Sequence, residues 1–157
     1  MKLQELMLTK NPKFWTDKGC AHSYTEYYDK LFEQYINKPV KILEVGLLNG
    51  ASLYLWDNYF KHRDTKIYGL DIQNTIYPEL IELYTKRVNI TTGKNCYIEE
   101  NIPEDVKNEK WDIIIDNGLY MPWEQLYTLS YLFSSLNSGG LYICENTHLT
   151  NNLDKLS

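Results

Sequence analysis

Apolar residues along this chain fall into two rhythms that alternate with each other. Compact apolar runs occupy 40–46, 66–72, 96–100, 111–116 and 141–144, bounded by Gly, Pro, Asn or charged residues, and each reads as a β-strand. The plainest is Trp111-Asp-Ile-Ile-Ile-Asp116, whose three consecutive isoleucines predict a strand covered on both faces. Between the runs, apolar positions recur three and four apart. Leu3, Leu6 and Met7 give a helical face within 1–15, and Tyr28, Leu31, Phe32 and Tyr35 do the same for 25–36. Helices are also expected over 52–60, from Pro78 to about Val88, and from Pro122 onward. The last has Leu126, Leu129, Phe133 and Leu136 as its inner stripe and Ser138-Gly-Gly140 as its stop. Strands alternating with helices predict an α/β fold, a mainly parallel sheet of about five strands with helices on both faces. No repeat or linker divides the 157 residues, so a single domain is expected over 1–157, with a helical cap over 1–39 and a core over 40–148.

The chemistry concentrates where the first strand ends. Lys41-Ile-Leu-Glu44-Val-Gly46 leads through Leu-Leu-Asn to Gly50, and Ser52 stands at the head of the next helix. A strand, a tight glycine turn and a helix N-terminus let backbone approach a nucleotide-like ligand closely. About 20 residues further on, Asp71 closes the second strand as a lone carboxylate, placed for the hydroxyls of a ribose. No lysine follows Gly50, as a phosphate-binding P-loop would require, and Leu48 stands where a dinucleotide fingerprint needs its middle glycine. Glu44 would repel a pyrophosphate but suits a ligand carrying an ammonium or sulfonium. This acid, Gly46, Gly50 and Asp71 together resemble the S-adenosylmethionine site of class I methyltransferases. Glu100, at the end of the expected third strand, is either a partner for an adenine amino group or an exposed strand-end acid.

Composition narrows the partners. Lys and Arg number 16 against 21 Asp and Glu, a formal net charge of −5, and no basic stripe is present, so neither nucleic acid nor a membrane surface is expected. No apolar run approaches membrane-spanning length, and the charge-interrupted start lacks a signal-peptide core. Cys20, Cys96 and Cys144 are odd in number, far apart and in no CxxC pair, which points to buried thiols in a reducing cytoplasm.

A narrower resemblance runs from about residue 14 to 148. Thr16-Asp-Lys18-Gly with His22-Ser-Tyr24 and Tyr28, Glu44-Val-Gly with Gly50-Ala-Ser-Leu and Trp56, and Tyr68-Gly-Leu-Asp-Ile72 resemble the macrolide-sugar O-methyltransferases and the related cephalosporin-hydroxylase-like proteins. Asp116-Asn-Gly-Leu-Tyr120 and Gly139-Gly-Leu-Tyr-Ile-Cys-Glu145-Asn-Thr-His148 occupy the places of that family's later motifs. The resemblance implies a Rossmann-like sheet, here without the usual C-terminal strand pair. It also implies S-adenosylmethionine as cofactor, with Thr16, Lys18, Tyr24, Glu44, Gly46, Gly50, Ser52, Asp71, Glu100 and Asp116 as candidate cofactor-binding positions. Asp116, Tyr120, His148 and His22 are candidates for catalysis.

The chemical half departs from its apparent relatives. In that family a divalent metal, usually magnesium, holds a sugar diol through acids at the positions of Asn117, Glu145 and Asn146, and a histidine at the position of Tyr120 serves as base. Only Glu145 keeps the family's residue. Magnesium is held mainly by carboxylate charge and water, so a magnesium site is doubtful, and a tyrosine near pKa 10 is a poor base at neutral pH. His148, at the carboxyl edge of the sheet, either replaces the base or belongs to a solvent-exposed tail. His22 is either a substrate or catalytic group or a surface loop histidine. The expected function is S-adenosylmethionine-dependent O-methylation of a sugar hydroxyl on a small molecule or glycan. The rival is a catalytically silent cofactor-binding or assembly module. An open sheet edge leads to the further expectation of a homodimer.

Overall fold

The computed structural model describes residues 2–10, 16–118 and 121–147. Helices α1 (Leu3–Lys10), α2 (Asp17–Cys20) and α3 (Tyr24–Phe32) precede strand β1 (Lys41–Val45). Then follow α4 (Ala51–Tyr59), β2 (Lys66–Leu70), α5 (Pro78–Ile81), β3 (Val88–Thr91), α6 (Glu104–Asn108), β4 (Trp111–Asp116), α7 (Pro122–Leu132) and β5 (Leu136–Cys144). Among the described residues the strands form one parallel sheet in the order β3-β2-β1-β4-β5. The order reverses between β1 and β4, and the crevice outside their carboxyl ends is where open α/β sheets bind ligands.

The alternation along β1 and β4 explains why this sheet is covered twice. Ile42, Ile113 and Ile115 are buried in one cluster with Leu3, Leu6, Phe32 and Trp56 of the α1, α3 and α4 side. Their neighbours Leu43, Val45 and Ile114 point the other way, into a cluster with Val106 of α6 and Leu132 of α7. Successive strand residues face opposite sides of the sheet, so an unbroken isoleucine run requires apolar cover on both. On the first side, α1 is held by Asp29 of α3, whose carboxylate accepts from the Leu3 N–H at 3.0 Å.

Two expected elements differ from what forms. The third strand is Val88–Thr91, where β-branched residues pair with β2, and not 96–100. The helix opened by Pro78 stops after one turn, because Asp57 of α4 captures the next segment. Its carboxylate accepts from the Thr85 N–H and hydroxyl, both at 2.7 Å, and pairs with Arg87 at 2.7 Å. Residues 96–100 instead turn, since the Asn95 side chain accepts from the Tyr97 N–H at 3.0 Å and its carbonyl from the Ile98 N–H. Glu100 consequently lies on an exposed 3₁₀ turn, Glu99–Asn101.

Helix α7 is also rotated from its expected facing. Gln125, Thr128 and Leu132 are buried, while Leu126 and Phe133 are each 61% exposed. Gln125 sets the rotation by donating from Nε2 to the Glu145 carbonyl at 2.8 Å, which fixes a polar position against the end of β5. Strand β5 begins at Leu136, five residues before the expected start, and runs through Gly139 and Gly140 across an irregularity in its register with β4. No helix among the described residues is long and apolar enough to cross a membrane.

Candidate functional site

Two neighbouring features are built at the carboxyl ends of the strands: an open groove over β1 and β2, and a closed polar cluster over β1 and β5. The groove has a cavity volume of about 170 Å³ and is lined by Gly46, Leu48, Asp71, Ile72, Tyr97 and Gly118 among others. Its floor is the glycine turn. Gly46 sits at φ +84°, and a side chain there would collide with the Asn117 carbonyl of the turn after β4. Gly50, at φ +86°, is the left-handed residue that opens α4, and Tyr84 donates to its carbonyl at 2.9 Å.

Asp71 joins β2 to this turn. One carboxylate oxygen accepts from the Leu47 N–H at 2.6 Å and the Leu48 N–H at 3.2 Å, and the other from the Gln73 N–H at 2.8 Å. Three backbone donors thus occupy much of its acceptor capacity, and Asp71 shapes the turn as well as facing the groove. Opposite, Cys96 is buried at the groove wall, and burial pushes its thiol up to about 12, so it is inert as a nucleophile.

The closed cluster centres on Lys18, which is fully buried. Its Nζ lies 3.1 Å from Glu44 Oε1 and 2.6 Å from Glu145 Oε2. Glu44 Oε2 accepts from Trp56 Nε1 at 2.8 Å, and the Tyr28 hydroxyl donates to Glu145 Oε1. Burial pulls the Lys18 pKa down, but Glu44 and Glu145 together outweigh it, and the net direction is upward. Burial raises Glu44, against the lowering influence of Lys18, Trp56 and Ser52. Thr16 caps α2 and presents Lys18 to the cluster.

Beside this cluster stand Asn117 and Asn146. Tyr24 donates to Asn146 Oδ1 at 3.2 Å, and His22 stacks on the Tyr24 ring with centroids 4.8 Å apart. In one amide orientation Asn117 Oδ1 accepts from Asn146 Nδ2 at 3.1 Å. In the reverse orientation it donates to Glu145 Oε2 at 3.1 Å and accepts from Lys18 Nζ at 3.2 Å, which serves the buried charges better. Asp116 is fully buried, accepts from the Gly118 N–H at 3.2 Å and from the Tyr142 hydroxyl at 3.3 Å, and burial pushes its carboxyl up to about 6. Gly118, lacking a side chain, leaves Asp116 next to the groove floor: a Cβ there would lie 3.2 Å from Asp116 Oδ1.

The expected site residues therefore divide into groups. Gly46, Asp71 and Asn117 line the groove. Lys18, Tyr24, Glu145 and Asn146 meet around the polar cluster together with Glu44 and Ser52, so Glu44 is closed off by Lys18 and does not present a free charge to a cationic ligand. Glu100 is not among the groove-lining residues; Asn95, Cys96 and Tyr97 take that side, because the chain turns where a strand was expected. Tyr120 and His148 lie outside the described residues. Gln125 carries no local signal in the sequence, because its partner is the Glu145 carbonyl 20 residues away, and Tyr142 shows there only as a motif residue. Trp56 shows there only as a motif residue, and Tyr28 as a motif and helix-face residue.

The metal-ligand positions do not suit magnesium. Both Glu145 oxygens are already engaged, Asn117 and Asn146 offer only neutral oxygens, and among the described residues no three His, Cys, Asp or Glu side chains are grouped to hold a metal ion.

No family model matches the chain. Demethylmacrocin O-methyltransferase from Streptomyces fradiae is 31% identical over 135 residues, 82% of this chain and 32% of that protein. Mycinamicin VI 2''-O-methyltransferase from Micromonospora griseorubida is 28% identical over 86% of this chain and 33% of its own length. The chain thus spans about a third of the length of these curated relatives. Among solved structures, MycE methyltransferase from the mycinamycin biosynthetic pathway, in complex with Mg and SAH, superposes on 100% of this chain and 42% of its own, with a TM-score of 0.78 and 26% identity. A Staphylococcus aureus protein described as a putative caffeoyl-CoA O-methyltransferase shares the fold, with a TM-score of 0.64 at 18% identity.

The glycine turn generates a direct expectation. Gly46→Ala places a methyl group against the Asn117 carbonyl at a backbone angle that L-residues avoid, so it should destabilise the fold by about 2 kcal/mol or more. Urea unfolding of the variant checks this, and a midpoint equal to the wild type's would show that the turn is not packed as described. By sequence and by fold, the chain is similar to macrolide-sugar O-methyltransferases over about a third of their length, and its sheet is that of the class I methyltransferase fold.

Proposed function

We propose that this chain is the cofactor-binding core of an S-adenosylmethionine-dependent O-methyltransferase that acts on a sugar hydroxyl of a small molecule or glycan. The observation that carries the reading is the convergence of the Gly46 turn, Asp71 and the Asn95–Tyr97 side on one groove at the sheet's switch point. Its cavity is smaller than the roughly 300 Å³ at which pockets for whole small molecules begin, so it suits the nucleoside part, with the sulfonium end directed toward the ends of β1 and β4. The relatives' names and the SAH in the MycE complexes support the same assignment. A reducing, cytoplasmic setting goes with it, as Cys96 and Cys144 are free thiols.

In the reaction, the acceptor hydroxyl oxygen forms a bond to the methyl carbon as the carbon–sulfur bond breaks and its electron pair returns to sulfur. The hydroxyl proton passes to a base. Asp116, behind Gly118 at the groove floor, is the described carboxylate best placed to accept it. Most of the acceleration would come from holding hydroxyl and methyl in line. His22, on the Tyr24 ring, would border the acceptor.

A silent cofactor-binding module is the second reading. It is favoured by the two neutral amides at Asn117 and Asn146 and by a Glu145 already engaged on both oxygens. Methyl transfer to any glycan acceptor would remove it.

S-adenosylhomocysteine should raise the melting temperature, and calorimetry should show Asp71→Ala weakening its affinity roughly 10- to 150-fold, the value of a charge-assisted hydrogen bond. Because Asp71 also braces the turn, the variant's stability without ligand has to be measured alongside. No heat and no thermal shift with either S-adenosylmethionine or its product at millimolar concentration would contradict the cofactor assignment.

Self-association belongs to the same reading. Strand β5 ends the sheet among the described residues, and the α7 side beside it exposes Trp123, Leu126, Tyr127 and Phe133. A two-fold dimer is the default arrangement for such a surface. Light scattering at tens of micromolar should return a dimer mass, and a clean monomer would rule this out.

A further inference from the structure

We infer that the acceptor edge of this site takes no divalent metal, because the Asn117 and Asn146 amides leave no charge for an ion to neutralise beside the Lys18–Glu145 pair. This rests on the methyltransferase reading above for the edge's role, yet it concerns this chain's own donors and is testable without turnover.

Glu145 is the natural starting point, as the one acid among the three metal-ligand positions. A metal would have to compete for the Glu145 carboxylate, where one oxygen accepts from Tyr28 and the other lies 2.6 Å from Lys18 Nζ and takes the Asn117 amide in its favoured orientation. Moving Lys18 aside would expose the fully buried Glu44, 3.1 Å from the same nitrogen, as an uncompensated charge. Breaking a buried pair in this way is strongly unfavourable, so the lysine resists displacement by a cation. Asn117 and Asn146 close the remaining approach. Each carries a neutral oxygen, and Asn146 is held at φ +55° with Tyr24 donating to its amide.

The charge count reaches the same conclusion. Relative to carboxylates at 117 and 146, two amides remove two negative charges, which equals the charge that a divalent ion would add. What remains at the edge is one lysine shared by two glutamates, with amide groups around it. An amide both donates and accepts hydrogen bonds, which is what neutral hydroxyls need. The acceptor sugar is therefore held through hydrogen bonds to Asn117 and Asn146, and Lys18 is a positioning residue that keeps Glu145 and these amides in place.

Thermal unfolding of the full chain tests this. With millimolar magnesium or with EDTA, the wild-type melting temperature should stay unchanged. The Asn117→Asp/Asn146→Asp variant adds two uncompensated carboxylates beside Glu145 and should gain a magnesium-dependent rise of roughly 5 °C or more. Lys18→Met should melt lower than wild type and recover part of the loss in magnesium, because the ion can then sit between Glu44 and Glu145; a role in packing alone would give no such recovery. Since removing a buried cation can unfold a chain outright, the wild type and the double variant form the deciding pair. A wild-type melting temperature that rises in magnesium or falls in EDTA overturns the inference. So does a double variant indifferent to magnesium, since the amides would then not be what excludes the ion. S-adenosylhomocysteine added to parallel wild-type samples separates the two readings. If it gives no shift, the function assignment fails, whereas the magnesium results still decide this one.

Discussion

A lysine fully buried between two glutamates is the constraint on which this structure depends. Taking an ammonium out of water costs several kcal/mol, and the cost is offset only when opposite charges meet it in good geometry. Lys18 comes from the short helix α2, Glu44 from the core of β1, and Glu145 from the turn after β5. Satisfying one charge therefore fixes three distant pieces of chain at once. The N-terminal segment is drawn over the strand ends, where Tyr28 reaches Glu145 and Tyr24 reaches Asn146. Aromatic packing follows the same line: Tyr28 stacks on Phe32 and meets Trp56 edge-on, and Trp56 donates back to Glu44.

With that cluster closed, the neighbouring groove is left as the ligand-accessible part of the strand ends. The division depends on two turns that approach within van der Waals contact. Gly46 after β1 lacks the side chain that would push it off the Asn117–Gly118 backbone after β4, and Asp71 ties the first turn to β2 through the Leu47 and Leu48 N–H groups. A groove assembled from three strand ends and a brace on its own backbone is preorganised, so little ordering remains to be done when a ligand arrives. The same closeness puts Asp116 beneath the groove, where burial raises its carboxyl to about 6 and Tyr142 donates to it.

Much of this was legible along the chain. The isoleucine run of β4, the glycine turn, Asp71 and the helical face of Leu3 and Leu6 each carry their signal within a few residues, and each appears where it was expected. What escaped depends on partners distant in sequence. Tyr84 to Arg87 leave the helical pattern because Asp57, about 28 residues earlier, captures them. Helix α7 turns Leu126 outward because Gln125 finds the Glu145 carbonyl, and a hydrophobic stripe cannot report that bond. Glu44 looked like a free acid facing a cationic ligand, since nothing local reveals that a lysine 26 positions earlier will neutralise it. Residues 96–100 have the apolar content of a strand, and a single asparagine side chain turns them.

Lys18 and Glu145 act as a coupled buried pair. A double-mutant cycle in urea measures this directly, using Lys18→Met, Glu145→Gln and the two together. A coupling energy of about 2 kcal/mol or more is expected, with the double variant more stable than the sum of the single losses allows. Additivity to within about 0.5 kcal/mol would contradict this coupling, because the lysine would then be held by packing alone.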